Sequence, residues 1–177
     1  MSVIFLAGVH GVGKSFLGAL VANQIGISYL TASQLIREEK GRSTWSADKL
    51  VGEIDDNQLA LVRAVSRRHD DAVDLLLDGH FVLRDSSGDL VRLDKSVFRD
   101  LKLTGVILLT EDASVIVERF LARDGTSMSV ETITELAVEE QLHACSVCTQ
   151  LGIPLVAIPS ANALSLTSQV IALMRAQ

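Results

Sequence analysis

The stretch Gly8-Val9-His10-Gly11-Val12-Gly13-Lys14-Ser15 joins two segments of different periodicity, and it restricts the fold more than anything else in the chain. Before it, Val3 to Ala7 (VIFLA) is a short, unbroken apolar run, which suits a strand buried on both faces. After it, Lys14 to Ile25 (KSFLGALVANQI) has helical periodicity. Glycines in the connection let the backbone curl, so that successive N–H groups point into one concavity. The helix that opens near Lys14 adds its own unpaired N–H groups and the positive end of its dipole. A strand, an amide-lined turn and a helix in this order predict an α/β chain with an anion site at the turn.

The spacing Gly-x-x-x-x-Gly-Lys-Ser is that of a P-loop, and its strand-to-helix context agrees. It predicts a cradle for a nucleoside triphosphate, ATP being the expected ligand, built by Gly8, His10, Gly11, Val12, Gly13, Lys14, Ser15 and Phe16. In that cradle the Lys14 ammonium reaches the β- and γ-phosphate oxygens and the Ser15 hydroxyl ligates Mg²⁺. His10 is expected to contribute its backbone while its ring is solvated. Asp78 ends the apolar run VDLLLD. A carboxylate at the tip of a parallel strand beside the P-loop strand is placed to hold Mg²⁺ with Ser15, directly or through water.

Further strands are expected at Ser28 to Thr31, Val73 to Leu77, Val106 to Leu109 and Leu155 to Ile158. Helices are expected over Ser33 to Lys40 (with Ser33 as N-cap), Asp48 to His69, Lys95 to Leu101, Ala113 to Arg123, Val130 to Leu151 and Leu166 to Ala176. Apolar strands alternating with amphipathic helices mean βαβ units and a parallel sheet. With 177 residues, two prolines and no linker-like segment, the chain reads as one domain over 1–177. Only 4% of residues are aromatic, so an aliphatic core of Leu, Val, Ile and Ala is expected.

The net charge of −6 makes the chain a poor bulk partner for nucleic acid or an anionic membrane. No apolar run approaches the roughly 20 residues that span a bilayer, and the N-terminal run reads as a strand, not a signal peptide. Cys145 and Cys148 make no disulfide framework, which predicts a reducing, cytoplasmic setting. They also lie inside a helical pattern with no second pair, so a zinc or redox site is discounted in favour of small core residues.

Among P-loop proteins, the GTPase signature Asn-Lys-x-Asp is absent, and the chain is shorter than large motor domains. Leu30 to Arg37 (LTASQLIR) resembles the segment after the second strand of adenylate kinases and related nucleoside monophosphate kinases. Asp78-Gly79-His80 up to Arg84, followed by Ser-Gly turn residues, resembles the Asp-x-His-x-x-x-Arg stretch of archaeal-type adenylate kinases. The resemblance implies a three-layer P-loop NTPase fold of nucleoside monophosphate kinase type, a five-stranded parallel sheet with the P-loop strand central and helices on both faces. It implies acceptor contacts at Thr31, Arg37 and Arg84, and an acceptor-binding insertion over about 31–70. It also implies a lid over about 119–130, where Arg119 and Arg123 would neutralise the transferring phosphate beside Lys14 and Asp78.

Gln58, in Asp55-Asp56-Asn57-Gln58, sits on the helix that crosses the acceptor side and is a further candidate contact. Trp45 either stacks on an acceptor base or fills the core, and Ser160-Ala161-Asn162 is placed to pack on the donor base. One departure from the family stands out: Asp124 to Ser129 carries no cation where family lids carry arginines. Two functions follow as expectations. One is a Mg²⁺-dependent kinase acting on a small, nucleotide-like acceptor. The other is an ATP-binding switch that hydrolyses slowly and signals to a protein partner.

Overall fold

A computed structural model describes residues 1–42, 53–69, 73–85, 87–125 and 128–176, the side chains of Arg42, Glu53, His69, Arg123 and Asp124 excepted. Trp45, Ser86 and the expected helix start at Asp48 lie outside the described residues. Five parallel strands form one sheet: β1 (Val3–Ala7), β2 (Ser28–Thr31), β3 (Leu75–Asp78), β6 (Gly105–Thr110) and β7 (Leu155–Pro159). Their order is β2-β3-β1-β6-β7, with the P-loop strand in the middle. Register pairs Leu6 and Thr31 with Asp78 on either side. The carboxyl ends of β1, β2 and β3 therefore stand together at one edge, where ligands of open α/β sheets bind.

The helices are α1 (Lys14–Ile25), α2 (Ala32–Arg42), α3 (Glu53–His69), α4 (Lys95–Asp100), α5 (Ala113–Asp124), α6 (Val130–Leu151) and α7 (Ala163–Arg175). Successive β1 side chains show which helices cover which face. Leu6 points toward Gly18 of α1, and α7 packs beside α1. Phe5 points the other way, edge-on to Phe81 and Phe98 with ring centroids 5.4 and 5.6 Å away. Phe98 belongs to α4, which packs on α6. Phe81 and Phe98 stack at 4.1 Å. Three phenylalanines thus anchor this face, while the rest of the buried core, Phe120 and Cys148 apart, is the expected Leu, Val, Ile and Ala.

Several boundaries differ from the sequence reading, each for a local reason. Helix α2 begins one residue before Ser33, because the Thr31 hydroxyl, at the end of β2, accepts the Gln34 N–H at 3.1 Å and so caps the helix. Strand β3 starts at Leu75 because Asp74 turns its side chain to the Ser2 N–H, and it extends through Asp78 by pairing on both sides. The turn expected around Arg84–Asp89 closes an antiparallel hairpin of β4 (Val82–Arg84) and β5 (Leu90–Arg92), whose three-residue strands are too short to show a period. Helix α7 opens three residues early through a capping box between Asn162 and Ser165. Of the two cysteines, Cys148 is buried in the core and Cys145 is exposed. Among the described residues no helix is long and apolar enough to cross a membrane.

Candidate functional site

The loop after β1 adopts a conformation that its glycines permit and other residues resist. Gly8, Gly11 and Gly13 have φ of 134°, 81° and 108°. At Gly8 a Cβ would also stand 2.5 Å from the Leu109 carbonyl oxygen, so the loop passes β6 at backbone distance. Lys14, at the first turn of α1, is buried. Its Nζ donates to the carbonyls of Gly8 and Val9 and lies 3.8 Å from Asp78 Oδ1. Burial pushes the Lys14 ammonium below its usual pKa, against the opposing pull of Asp78 and Glu140.

Asp78 collects two hydroxyls on its other oxygen. Ser15 Oγ donates to Oδ2 at 3.3 Å and Tyr29 Oη at 2.6 Å. Burial and that hydrogen bond push the Tyr29 phenol well above its usual pKa. The ring of Tyr29 reaches Asp78 across Gly18, where a Cβ would come within 2.4 Å of it. Ser15 and Asp78 offer hard oxygen donors side by side, the set that suits Mg²⁺. Tyr29 carries no signal in the sequence beyond being the single tyrosine of the chain.

Beneath the loop lies a residue that the sequence reading did not single out. Glu140 of α6 is 1% exposed. It accepts the N–H groups of Gly8 (3.2 Å), Phe81 (2.9 Å) and Val82 (2.7 Å), tying the P-loop to the segment that follows Asp78. Burial raises its pKa, and the three amides and Lys14 oppose that rise. Its signal was available: Ile133, Leu136, Glu140, Ala144 and Val147 are one buried helical stripe.

His80 stands beside His10, with ring centroids 4.1 Å apart. Burial first, then the charges of Lys14 and His10, lower the His80 pKa to about 2, so the ring is neutral. Arg119 of α5 donates to the carbonyls of Gly11 (3.3 Å) and Val12 (3.0 Å) and to Glu111 at 3.0 Å. Glu111 also accepts the Ser160 hydroxyl at 2.8 Å, which brings the loop after β7 to the outer side of the P-loop. That bond, with the Asp112 N–H and Arg119, holds the Glu111 carboxyl below its usual pKa against some burial.

A cleft of about 690 Å³ runs from the P-loop to a wall formed by α2, α3 and α4. His10, Gly11, Gly13, Lys14, Ser15 and Phe16 line its near end, with Asp78, His80 and Arg119. Thr31 and Gln58 line it further in. Gly8 and Val12 of the same loop are buried and do not line the cleft. Among the described residues, the Gln58 Oε1 is buried and has no hydrogen-bond partner. An unmet acceptor of this kind costs about 1–3 kcal/mol.

Two expected acceptor contacts fall elsewhere. Arg84 does not reach the cleft: it donates to the Gly88 carbonyl at 2.6 Å and to Glu135 at 3.4 Å, lining a separate hollow. The β4–β5 hairpin turns it away from the sheet edge. Arg37 is exposed and is not among the residues lining the cleft. The side chain of Arg123 lies outside the described residues.

A family model described as an AAA domain matches residues 7–137. An adenylate kinase of Corynebacterium aurimucosum is 33% identical over 142 residues, 75% of this chain and 77% of that protein. Among solved structures, a gluconokinase from Sinorhizobium meliloti 1021 superposes with a TM-score of 0.56 at 18% identity, covering 98% of this chain and 92% of its own. A shikimate kinase from Aquifex aeolicus gives 0.56 at 13% identity, with 97% and 95% covered. The two solved structures speak for the fold, the family model and the adenylate kinase for descent, and together they make the chain a member of the AAA-domain family, among its small P-loop kinases of nucleoside monophosphate kinase-like fold.

Proposed function

We propose that the chain is a Mg²⁺-dependent phosphotransferase that moves the γ-phosphoryl group of ATP to a small acceptor of nucleotide-like size. The observation that carries this reading is the convergence of Lys14, Ser15 and Asp78 on one point of a cleft that continues past the P-loop. A protein that only held a triphosphate would not need the second half of that cleft.

In the proposed reaction the loop amides and the α1 N-terminus hold the phosphate chain. The Lys14 ammonium, which in this structure donates to the Gly8 and Val9 carbonyls, reaches the β- and γ-phosphate oxygens. Ser15 and Asp78 would hold Mg²⁺, which when bound neutralises charge on the same oxygens. Arg119, already at the loop, is the described lid cation placed to join them. Tyr29 fixes the Asp78 carboxylate, and Thr31 and Gln58 face the acceptor. Positioning and charge neutralisation supply most of the catalysis in such a reaction.

The test uses purified protein, Mg²⁺ and γ-labelled ATP with a panel of nucleosides, nucleotides and small alcohols. Label is expected on an acceptor, and Lys14→Ala should abolish its transfer. Label that leaves only as slowly released free phosphate, whatever the acceptor, would replace this reading with that of a nucleotide-dependent switch.

A further inference from the structure

Resting on the phosphotransferase reading, we infer that Glu111 is a positioning residue of the ATP site: it holds the Arg119 guanidinium against the P-loop before the triphosphate arrives, and Ser160 holds Glu111 in turn. The Arg119 side chain is 44% exposed on α5. A long, solvated arginine samples many rotamers, and bringing it to a ligand costs the freedom it then loses. In this structure the placement is already made. Arg119 Nη1 donates to the Gly11 and Val12 carbonyls at 3.3 and 3.0 Å, and Nη2 donates to Glu111 Oε2 at 3.0 Å. The Val12 carbonyl shares a peptide plane with the Gly13 N–H, which points the opposite way. Gly13 lines the cleft. A guanidinium on the carbonyl side of that peptide therefore also sets the aim of the amide on its other side.

Glu111 directly follows β6, and its side chain is only 12% exposed. Both of its oxygens are engaged. Oε2 takes the Arg119 bond, while Oε1 accepts the Ser160 hydroxyl at 2.8 Å and the Asp112 N–H at 3.2 Å. These donors keep the carboxyl ionised at neutral pH. Ser160 is itself pinned. Its N–H donates to the Thr110 carbonyl at 2.9 Å, and its φ of 43° lies in the left-handed region that side chains rarely adopt. The contacts thus run from Ser160 through Glu111 and Arg119 to the P-loop, joining the loop after β7, the end of β6 and the loop after β1. An ion pair with so exposed an arginine adds little to stability. Its consequence is where it places the guanidinium, beside the loop that grips the triphosphate.

The experiment is a double-mutant cycle read by calorimetry, with a non-hydrolysable ATP analogue and Mg²⁺ as the probe. It compares the wild type, Glu111→Gln, Ser160→Ala, Arg119→Ala, and the two double variants that carry Arg119→Ala. Glu111→Gln keeps the size of the side chain but removes its charge, and its amide nitrogen meets one of the two side-chain donors without being able to accept. It should raise the Kd of the analogue about tenfold, the worth of one charge-assisted hydrogen bond. Ser160→Ala leaves Glu111 on Arg119 and should raise Kd about threefold. In the Arg119→Ala background, where Lys14 and the loop amides are intact, each of these changes should move Kd by less than about twofold, because the residue they act through is gone. A merely structural role would weaken binding by the same factor with or without Arg119. Ser160 is exposed, so its variant carries the cycle should Glu111→Gln fail to fold. An unchanged or tighter Kd in the single variants, or a penalty that persists without Arg119, overturns the inference and leaves the phosphotransferase reading standing. A folded wild type that binds no analogue overturns both.

Discussion

Glu140 offers a test in which two neighbouring glutamates should behave in opposite ways. Replacing Glu140 by Ala removes the acceptors of three buried amides, those of Gly8, Phe81 and Val82. Each orphaned donor costs about 1–3 kcal/mol. The deletion also leaves Lys14 buried with Asp78 as its one remaining carboxylate among the groups that raise its pKa. Against this, it relieves the burial of a carboxylate, a cost visible in the raised pKa of Glu140. Loss of one partner from a buried charged cluster is typically worth about 3–5 kcal/mol after such offsets, and we take about 3 kcal/mol for Glu140→Ala. With a urea slope of about 2 kcal/mol per M, the unfolding midpoint should fall by about 1.5 M. The melting temperature should fall by about 6–12 °C. Glu139 is the internal control. It pairs with Arg92 at 2.6 Å, but the side chains are 29% and 56% exposed. Such a pair contributes under about 1 kcal/mol, so Glu139→Ala should move the midpoint by less than about 0.5 M. Urea titrations followed by far-UV circular dichroism measure both. Equal midpoints for the two variants would refute the claim that Glu140 holds the P-loop to the segment after β3.

Other outcomes follow from the same geometry. Lys14→Ala should lower kcat by at least about 10²–10³-fold, with the circular dichroism spectrum unchanged; turnover within tenfold of wild type would remove Lys14 from the transition state. Tyr29→Phe frees Asp78 Oδ2 of its 2.6 Å donor and should raise the Mg²⁺ concentration for half-maximal turnover about tenfold; an unchanged Mg²⁺ profile would make the tyrosine a packing residue only. His80 has its pKa lowered from 6.5 to about 2 on folding, so the unfolded chain binds a proton that the folded chain refuses. Its contribution is present above pH 6.5 and is lost as pH falls toward 2, with a slope of about 1.4 kcal/mol per pH unit. Stability measured from pH 6 to 4 should therefore fall less steeply in His80→Asn than in wild type by about that amount, and parallel slopes would contradict the neutral buried ring.

What the sequence revealed, and what it hid, divides along a physical line. Where local chemistry decides, the reading was close. Strand β1, helix α1, strand β2 and helix α6 have the expected bounds, since glycines close three of these four elements and the P-loop opens α1. The meeting of Lys14, Ser15 and Asp78 was legible because the P-loop fixes two of them and the tip of a neighbouring parallel strand fixes the third. Where the direction of a side chain depends on a distant partner, residue type misled. Arg84 follows Asp78 at the expected spacing, yet a hairpin too short to show a period carries it away. Glu139 and Glu140 are alike as letters, and only the buried stripe of α6 separates them.

Gln58 makes the same argument from the other side. By composition it is one polar residue among four, in Asp-Asp-Asn-Gln on an amphipathic helix, and nothing local distinguishes its carboxamide from the others. The fold distinguishes it by burying its Oε1 without a hydrogen-bond partner among the described residues. Helices α2 and α3 clasp each other through buried Glu39, which accepts from Arg67 at 2.7 Å, and through Lys40, which donates to Asn57. These bonds hold α3 against α2, and Asn57 and Gln58 of that helix both line the cleft. An acceptor left dry by the protein's own packing is a cost that the fold bears. Weakening the clasp should therefore weaken acceptor binding with no contact to the acceptor at all. Arg67→Ala, more than half exposed at its own side chain, should raise the acceptor KM several-fold through the placement of α3, with the ATP KM unchanged. If instead Arg67→Ala lowers thermal stability and leaves both KM values alone, the placement of α3 is set by its apolar packing and not by its ion pairs.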